Sequence, residues 1–171
     1  GLALGTTASG ANKPESKTTG QPIANQNSKL QLGFIGVGLR GQSHVDLALD
    51  RKDCVVTAIC DIDPEMIRRT QAILSKKGGP APKVYDKGPK DYLRLLKEGG
   101  VDAVVISTPW EWHSEMATAA MSAGKYTGVE VSGGFSLDEC WDLVRTHEST
   151  GTHLFFLENV CYRRDVMAVL N

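Results

Sequence analysis

From Leu30 onward the chain alternates short apolar runs with longer stretches whose apolar residues recur every three or four positions. Leu30, Leu32, Phe34 and Ile35 predict a first strand, and Cys54-Val55-Val56-Thr57-Ala58-Ile59-Cys60 predicts a second, buried one. Between them Val45, Ala48 and Leu49 sit at helical spacing. Asp63 as N-cap and Pro64 at the first helical position start another helix, with Met66, Ile67, Ile73 and Leu74 inward and Gly78-Gly79-Pro80 as its stop. Lys83-Val84-Tyr85 fits a short third strand. Pro89 to Lys97 predicts a helix with Tyr92, Leu95 and Leu96 on one face.

The β-branched run from Val101 to Ser107 predicts a fourth strand covered on both faces, ending at Thr108-Pro109. Met116, Ala119, Ala120 and Ala123 then mark a helix stopped by Gly124, and Tyr126 to Val131 a fifth strand. Ser136-Leu137-Asp138-Glu139 reads as a capping box opening a helix with Leu137, Trp141 and Val144 inward. His153 to Leu157 gives a sixth strand. This alternation predicts an α/β fold, a doubly wound parallel (Rossmann) sheet with right-handed crossovers and strand order 3-2-1-4-5-6.

Composition divides the chain before chemistry does. A length of 171 residues holds one good core and no second full domain. Residues 1–28 are rich in Thr, Ser, Gly, Asn, Lys and Pro and read as a flexible arm. Their start, Gly1 to Ala11, reads equally as a signal-peptide remnant or as an ordinary small-residue leader. Residues 29–160 form the folded domain, and residues 161–171, where Asp165 to Leu170 begin a helix, read as the start of a truncated connection to a missing substrate domain.

With 19 basic and 20 acidic residues and only the pairs Arg68-Arg69, Lys76-Lys77 and Arg163-Arg164, no basic stripe offers a nucleic-acid surface. No apolar run is long enough to span a bilayer. Cys54, Cys60, Cys140 and Cys161 lack C-x-x-C spacing and are expected to be free, packed thiols; no metal spacing links them to the histidines. His44, His147 and His153 read as surface or packing residues.

The candidate chemistry sits at Gly36-Val37-Gly38-Leu39-Arg40-Gly41, straight after the first strand. In a dinucleotide-binding G-x-G-x-x-G the first glycine makes the turn, the second admits the pyrophosphate and the third lets the helix pack on the strand. The motif alone is weak in a chain with 18 glycines, so its context decides. Asp61 follows the second strand, twenty residues after Gly41, where an acid accepts ribose hydroxyls and repels a 2′-phosphate.

With these landmarks the sequence resembles the glucose–fructose oxidoreductase and inositol dehydrogenase family (Gfo/Idh/MocA). The resemblance rests on Gly36 to Gly41, Cys60-Asp61, Ser107-Thr108-Pro109 with His113, and Ala123-Gly124-Lys125 leading to Glu130. The family usually carries Glu-Lys-Pro at the fifth strand end; here Glu130 is followed by Val131 and Ser132. With Trp110-Glu111-Trp112-His113, Glu139-Cys140-Trp141, Leu157-Glu158-Asn159 and Cys161-Tyr162, that departure is similar to the bacterial NAD-dependent α-N-acetylgalactosaminidases.

The resemblance implies a tightly held NAD and a redox-neutral glycoside cleavage by hydride abstraction at C3, elimination, water addition and hydride return. It implies Gly36, Gly38, Leu39, Arg40 and Gly41 on the pyrophosphate and Asp61 on a ribose. Ser107, Thr108, Trp110 and His113 fall on the nicotinamide side, Glu130 on nicotinamide or its ribose, and Tyr162 on the sugar, with Glu130 and Tyr162 as the catalytic candidates.

Residue by residue, alternatives stay open. His113 either lines the cofactor or caps the following helix, Trp110 or Trp112 either covers NAD or packs over the loop, and Tyr162 is as readily a core or interface residue. In the relatives a second domain supplies the remaining catalytic groups, so this chain alone is expected to bind NAD without turnover. A small glycoside substrate, a possible homo-oligomer and an exported or periplasmic bacterial location complete the expectation. The rivals are a sugar or inositol dehydrogenase and a non-catalytic nucleotide-binding module.

Overall fold

The computed structural model describes residues 29–170; the arm or leader expected over residues 1–28 lies outside them. The elements run β1 (Leu30–Ile35), α1 (Leu39–Leu49), β2 (Cys54–Cys60), α2 (Pro64–Lys76), β3 (Lys83–Tyr85), α3 (Asp91–Glu98), β4 (Ala103–Ile106), α4 (His113–Ser122), β5 (Tyr126–Val129), α5 (Leu137–Thr150), β6 (Leu154–Phe156) and α6 (Arg164–Leu170). All strand pairs are parallel and the order is β3-β2-β1-β4-β5-β6, as the alternation predicts.

Side-chain alternation divides the central strands between two cores. Phe34, Val56 and Ile59 pack with Val45, Ala48, Ile67 and Leu74 of α1 and α2 on one face. Ile35, Ala58, Cys60, Val104 and Ile106 pack with Tyr92, Leu95, Leu96, Met116, Ala120 and Met121 of α3 and α4 on the other. The order of strand addition reverses at β1, whose neighbours are β2 and β4. A crevice therefore opens past the carboxyl ends of these strands, where such sheets take ligands.

Local signals hold at the caps. Asp63 caps α2 by accepting from the Glu65 N–H at 2.8 Å, with Pro64 following. Ser136 and Glu139 form the capping box of α5: Ser136 Oγ accepts from the Glu139 N–H at 3.2 Å, and Glu139 Oε2 accepts from the Ser136 N–H at 3.1 Å. Ser136→Ala is expected to cost about 1 kcal/mol, measured as a lower urea midpoint at unchanged slope.

Three expectations are corrected. The helix expected from Pro89 begins at Asp91, because a turn in which the Asp91 N–H bonds the Gly88 carbonyl occupies the preceding residues. Leu137, Trp141 and Val144 of α5 face outward at 78, 55 and 42 % exposure; Leu143 is the one buried residue of that helix. α5 lies at the sheet's β5–β6 end and packs on α4, so only a narrow strip of it reaches the core. All four cysteines are free, but only Cys54 and Cys60 are buried, and Cys140 is exposed.

Candidate functional site

The glycine loop makes its turn between β1 and α1. Gly36 takes φ +82°, and its N–H bonds the Cys60 carbonyl at 2.8 Å. A Cβ on Gly36 would lie 2.7 Å from the Thr108 backbone nitrogen, and one on Gly41 would lie 2.1 Å from the Gly36 carbonyl oxygen. The first and third glycines are thus demanded by the protein's own packing. Gly38 differs, since a Cβ there meets nothing within 4 Å.

Gly38 is also the N-cap of α1, with no side-chain cap and no acidic residue in the first turn. The first-turn N–H groups have no intrahelical acceptors, an arrangement suited to an anion. Leu39 is 80 % exposed, so its contribution is that N–H and not its side chain.

A cleft of about 320 Å³ runs from this loop. Its lining includes Gly36 and Gly38 of the loop, Asp61, Ile62, Asp63 and Met66 after β2, and Ser107, Thr108 and Trp112 after β4. Asp61 Oδ2 accepts from the Val37 N–H at 2.7 Å and Oδ1 from the Asp63 N–H at 3.0 Å, which fixes the carboxylate at the cleft's edge with lone pairs to spare. Ser107 Oγ is buried and has no hydrogen-bond partner, an orphan that a ligand oxygen would satisfy. Cys60 also lines the cleft, but burial pushes its thiol up to about 12, so it stays protonated.

Trp112, and not Trp110, is the indole of the cleft wall. The 3₁₀ turn Trp110–Trp112 sends the two rings apart: Trp110 is 58 % exposed and packs on Phe135 at 6.3 Å, while Trp112 is partly buried against the core. Lys90 Nζ sits 4.9 Å from the Trp112 ring centroid. Lys90 is itself held by Glu115, to which the Tyr92 hydroxyl also donates; those two bonds keep the Glu115 carboxyl below the usual range.

His113 does not serve as the cap that one sequence reading allowed. It is fully buried, absent from the cleft wall and not a cap of α4. Nε2 lies 2.8 Å from the Thr108 carbonyl oxygen and Nδ1 lies 2.7 Å from that of Ser132, so the ring ties the loop after β4 to the loop after β5. The Val131–Ser132 peptide in the second loop is cis.

At the end of β5, Glu130 Oε1 accepts from Arg40 Nε at 2.5 Å and from His44 Nε2 at 2.6 Å. Burial raises the Glu130 carboxyl, but the His44 and Arg40 hydrogen bonds outweigh it and hold it below the ordinary carboxylate range. Arg40, expected on a pyrophosphate, is therefore engaged by a carboxylate, and His44, read as a surface or packing residue, is its second partner. His44 lies four residues after Arg40, on the same face of α1, which places the two side by side but does not name Glu130 as their partner. Tyr162 stands in the 3₁₀ turn Val160–Tyr162 at 72 % exposure, away from the cleft lining.

A strand–glycine–helix cradle, an acid after β2 and an open second glycine describe a dinucleotide site, and residues 30–157 match the family model of the Gfo/Idh/MocA oxidoreductases, described as an oxidoreductase family with an NAD-binding Rossmann fold. The chain belongs to that family. Among curated Gfo/Idh/MocA relatives, a glycosyl hydrolase family 109 protein of Parabacteroides distasonis is 45 % identical over 176 residues, covering 100 % of this chain and 37 % of its own length. An α-N-acetylgalactosaminidase of Tannerella forsythia is 46 % identical over 151 residues, covering 88 % and 32 %. The chain thus spans about a third of the length of these relatives. Among solved structures, scyllo-inositol dehydrogenase of Lactobacillus casei with bound NAD(H) and scyllo-inositol superposes with a TM-score of 0.71 over 83 % of this chain and 40 % of its own. At 14 % identity that likeness shows the Gfo/Idh/MocA fold alone.

Proposed function

We propose that this chain is the NAD-binding part of a bacterial glycoside hydrolase of the α-N-acetylgalactosaminidase type, acting without net redox change. The observation that carries the reading is the 46 % identity over 151 residues to the Tannerella forsythia α-N-acetylgalactosaminidase. Glu130-Val131-Ser132, where the wider family usually has Glu-Lys-Pro, supports it against an ordinary dehydrogenase.

The residues present fit NAD. Gly38 and the first-turn amides of α1 would hold the pyrophosphate, Asp61 would accept ribose hydroxyls, and Ser107 Oγ would gain a partner. Asp61 and Asp63 together repel a 2′-phosphate, which favours NAD over NADP. When bound, NAD supplies a hydride acceptor for the sugar's C3 carbon and returns the hydride at the end. Glu130, ionised at the carboxyl end of β5, would accept from a hydroxyl on the nicotinamide side. This chain's share of the chemistry is binding and orientation. Removal of the C2 proton, made acidic by the C3 ketone, and delivery of water belong to groups outside it.

The test uses the full protein and a nitrophenyl N-acetyl-α-galactosaminide. Nitrophenol release with no accumulation of reduced cofactor is expected, and none from the 171-residue chain alone. Accumulation of reduced cofactor with a free sugar, without glycoside cleavage, would replace this reading by a sugar dehydrogenase.

A further inference from the structure

Arg40 occupies an unfavourable place. It is the second residue of α1, in a first turn with no acidic residue and no side-chain cap, where a positive charge opposes the helix dipole. Such a charge is tolerable when an anion sits beside it. In the structure that anion is Glu130, and the contact is short but single-point: Arg40 reaches one carboxylate oxygen through Nε, not through the two-point fork a guanidinium can make. The same oxygen takes a second bond from His44 Nε2. A carboxylate only accepts, so His44 is the donor there. Exposure separates the two donors, since the Arg40 side chain is 44 % exposed against 17 % for His44 and 12 % for Glu130.

We propose that His44 is a positioning residue that retains Glu130 and so frees Arg40 to turn toward the phosphate of the bound dinucleotide. The inference rests on the NAD reading above. Glu130 is too sheltered to be left without a donor, because an unpaired, poorly solvated carboxylate is costly. Without His44, Glu130 holds Arg40 as its sole ionic partner, and an arriving phosphate has to break that pair. With His44 in place, Glu130 keeps a hydrogen bond after Arg40 leaves, and the exchange replaces one anion on the guanidinium by another. His44 then affects cofactor affinity without touching the cofactor.

The experiment is NAD titration of the full protein by intrinsic fluorescence, with each variant's fold checked by circular dichroism. His44→Ala is expected to raise the NAD Kd about tenfold, and His44→Gln, which keeps an N–H within reach of Glu130, to restore it to within about twofold. The effect should vanish in a Glu130→Gln background, where the hold on Arg40 is gone, and in an Arg40→Gln background, where nothing remains to be released. If His44→Ala does not fold, His44→Leu takes its place. An unchanged Kd in the His44 variants, or the same tenfold loss persisting in the Glu130→Gln background, overturns the proposal, the second result meaning that His44 serves packing only. Wild-type protein that binds no NAD overturns the function proposed above and this inference with it. Failure in the variants alone overturns only the inference.

Discussion

Gly38→Ser is expected to bind NAD roughly a hundredfold more weakly while melting no lower than the parent protein. The two halves of that result have one cause. Gly38 is the N-cap of α1 with no side chain to cap it, and a Cβ there meets no protein atom within 4 Å. Serine is among the best N-cap residues, because its hydroxyl accepts from the second or third helical N–H, and it gains a few tenths of a kcal/mol over glycine at that position. Those are the donors an incoming pyrophosphate would use, and the new side chain also occupies the space it needs. Stability and binding therefore move in opposite directions. Calorimetric NAD titration and a melting curve on the same sample decide it; a Kd within twofold of the parent would show that the phosphate lies elsewhere.

Gly41→Ala is the complementary case, with the damage falling on the fold. Its Cβ would sit 2.1 Å from the Gly36 carbonyl oxygen, well inside contact distance. Gly36 cannot retreat: its N–H is bonded to Cys60, its φ is +82°, and the backbone of Ser107 and Thr108 lies directly behind it. The strain therefore passes to the packing of α1 on β1, where Val37 and Val45 are fully buried. A loss of about 3 kcal/mol, the upper end of overpacking costs, is expected, seen as a lower urea midpoint with unchanged slope. A midpoint equal to the parent's would show that α1 can back away from the loop at little cost.

The fold was legible because its signals are local. Each buried strand is a contiguous apolar run, the starts of α2 and α5 carry their own caps, and the tight turns that require Gly36 and Gly41 follow from the glycine spacing read with the strand before it and the helix after it. The site was legible only as far as the chain's immediate neighbours. Glu130 and His44 are 86 residues apart, and nothing local says that the end of β5 meets the second turn of α1. The choice between Trp110 and Trp112 was set by a 3₁₀ turn that places neighbouring rings on different sides. α5 carries two candidate faces, one through Leu137, Trp141 and Val144 and one through Leu143, and its seat against α4 selects the second. The nitrogens of His113 are taken up by carbonyls of two loops distant in sequence, a role invisible until both loops are placed.

That buried imidazole bears on what happens before any ligand arrives. The buried ring lies between the loops after β4 and β5, within hydrogen-bond distance of a carbonyl of each, so a displacement of either loop disturbs its seat against the other. Thr108 and Ser132 thus share a single set of positions, and the entropy of arranging them is lost during folding. A small molecule entering the crevice meets walls already set, and less of its contact energy goes into freezing them.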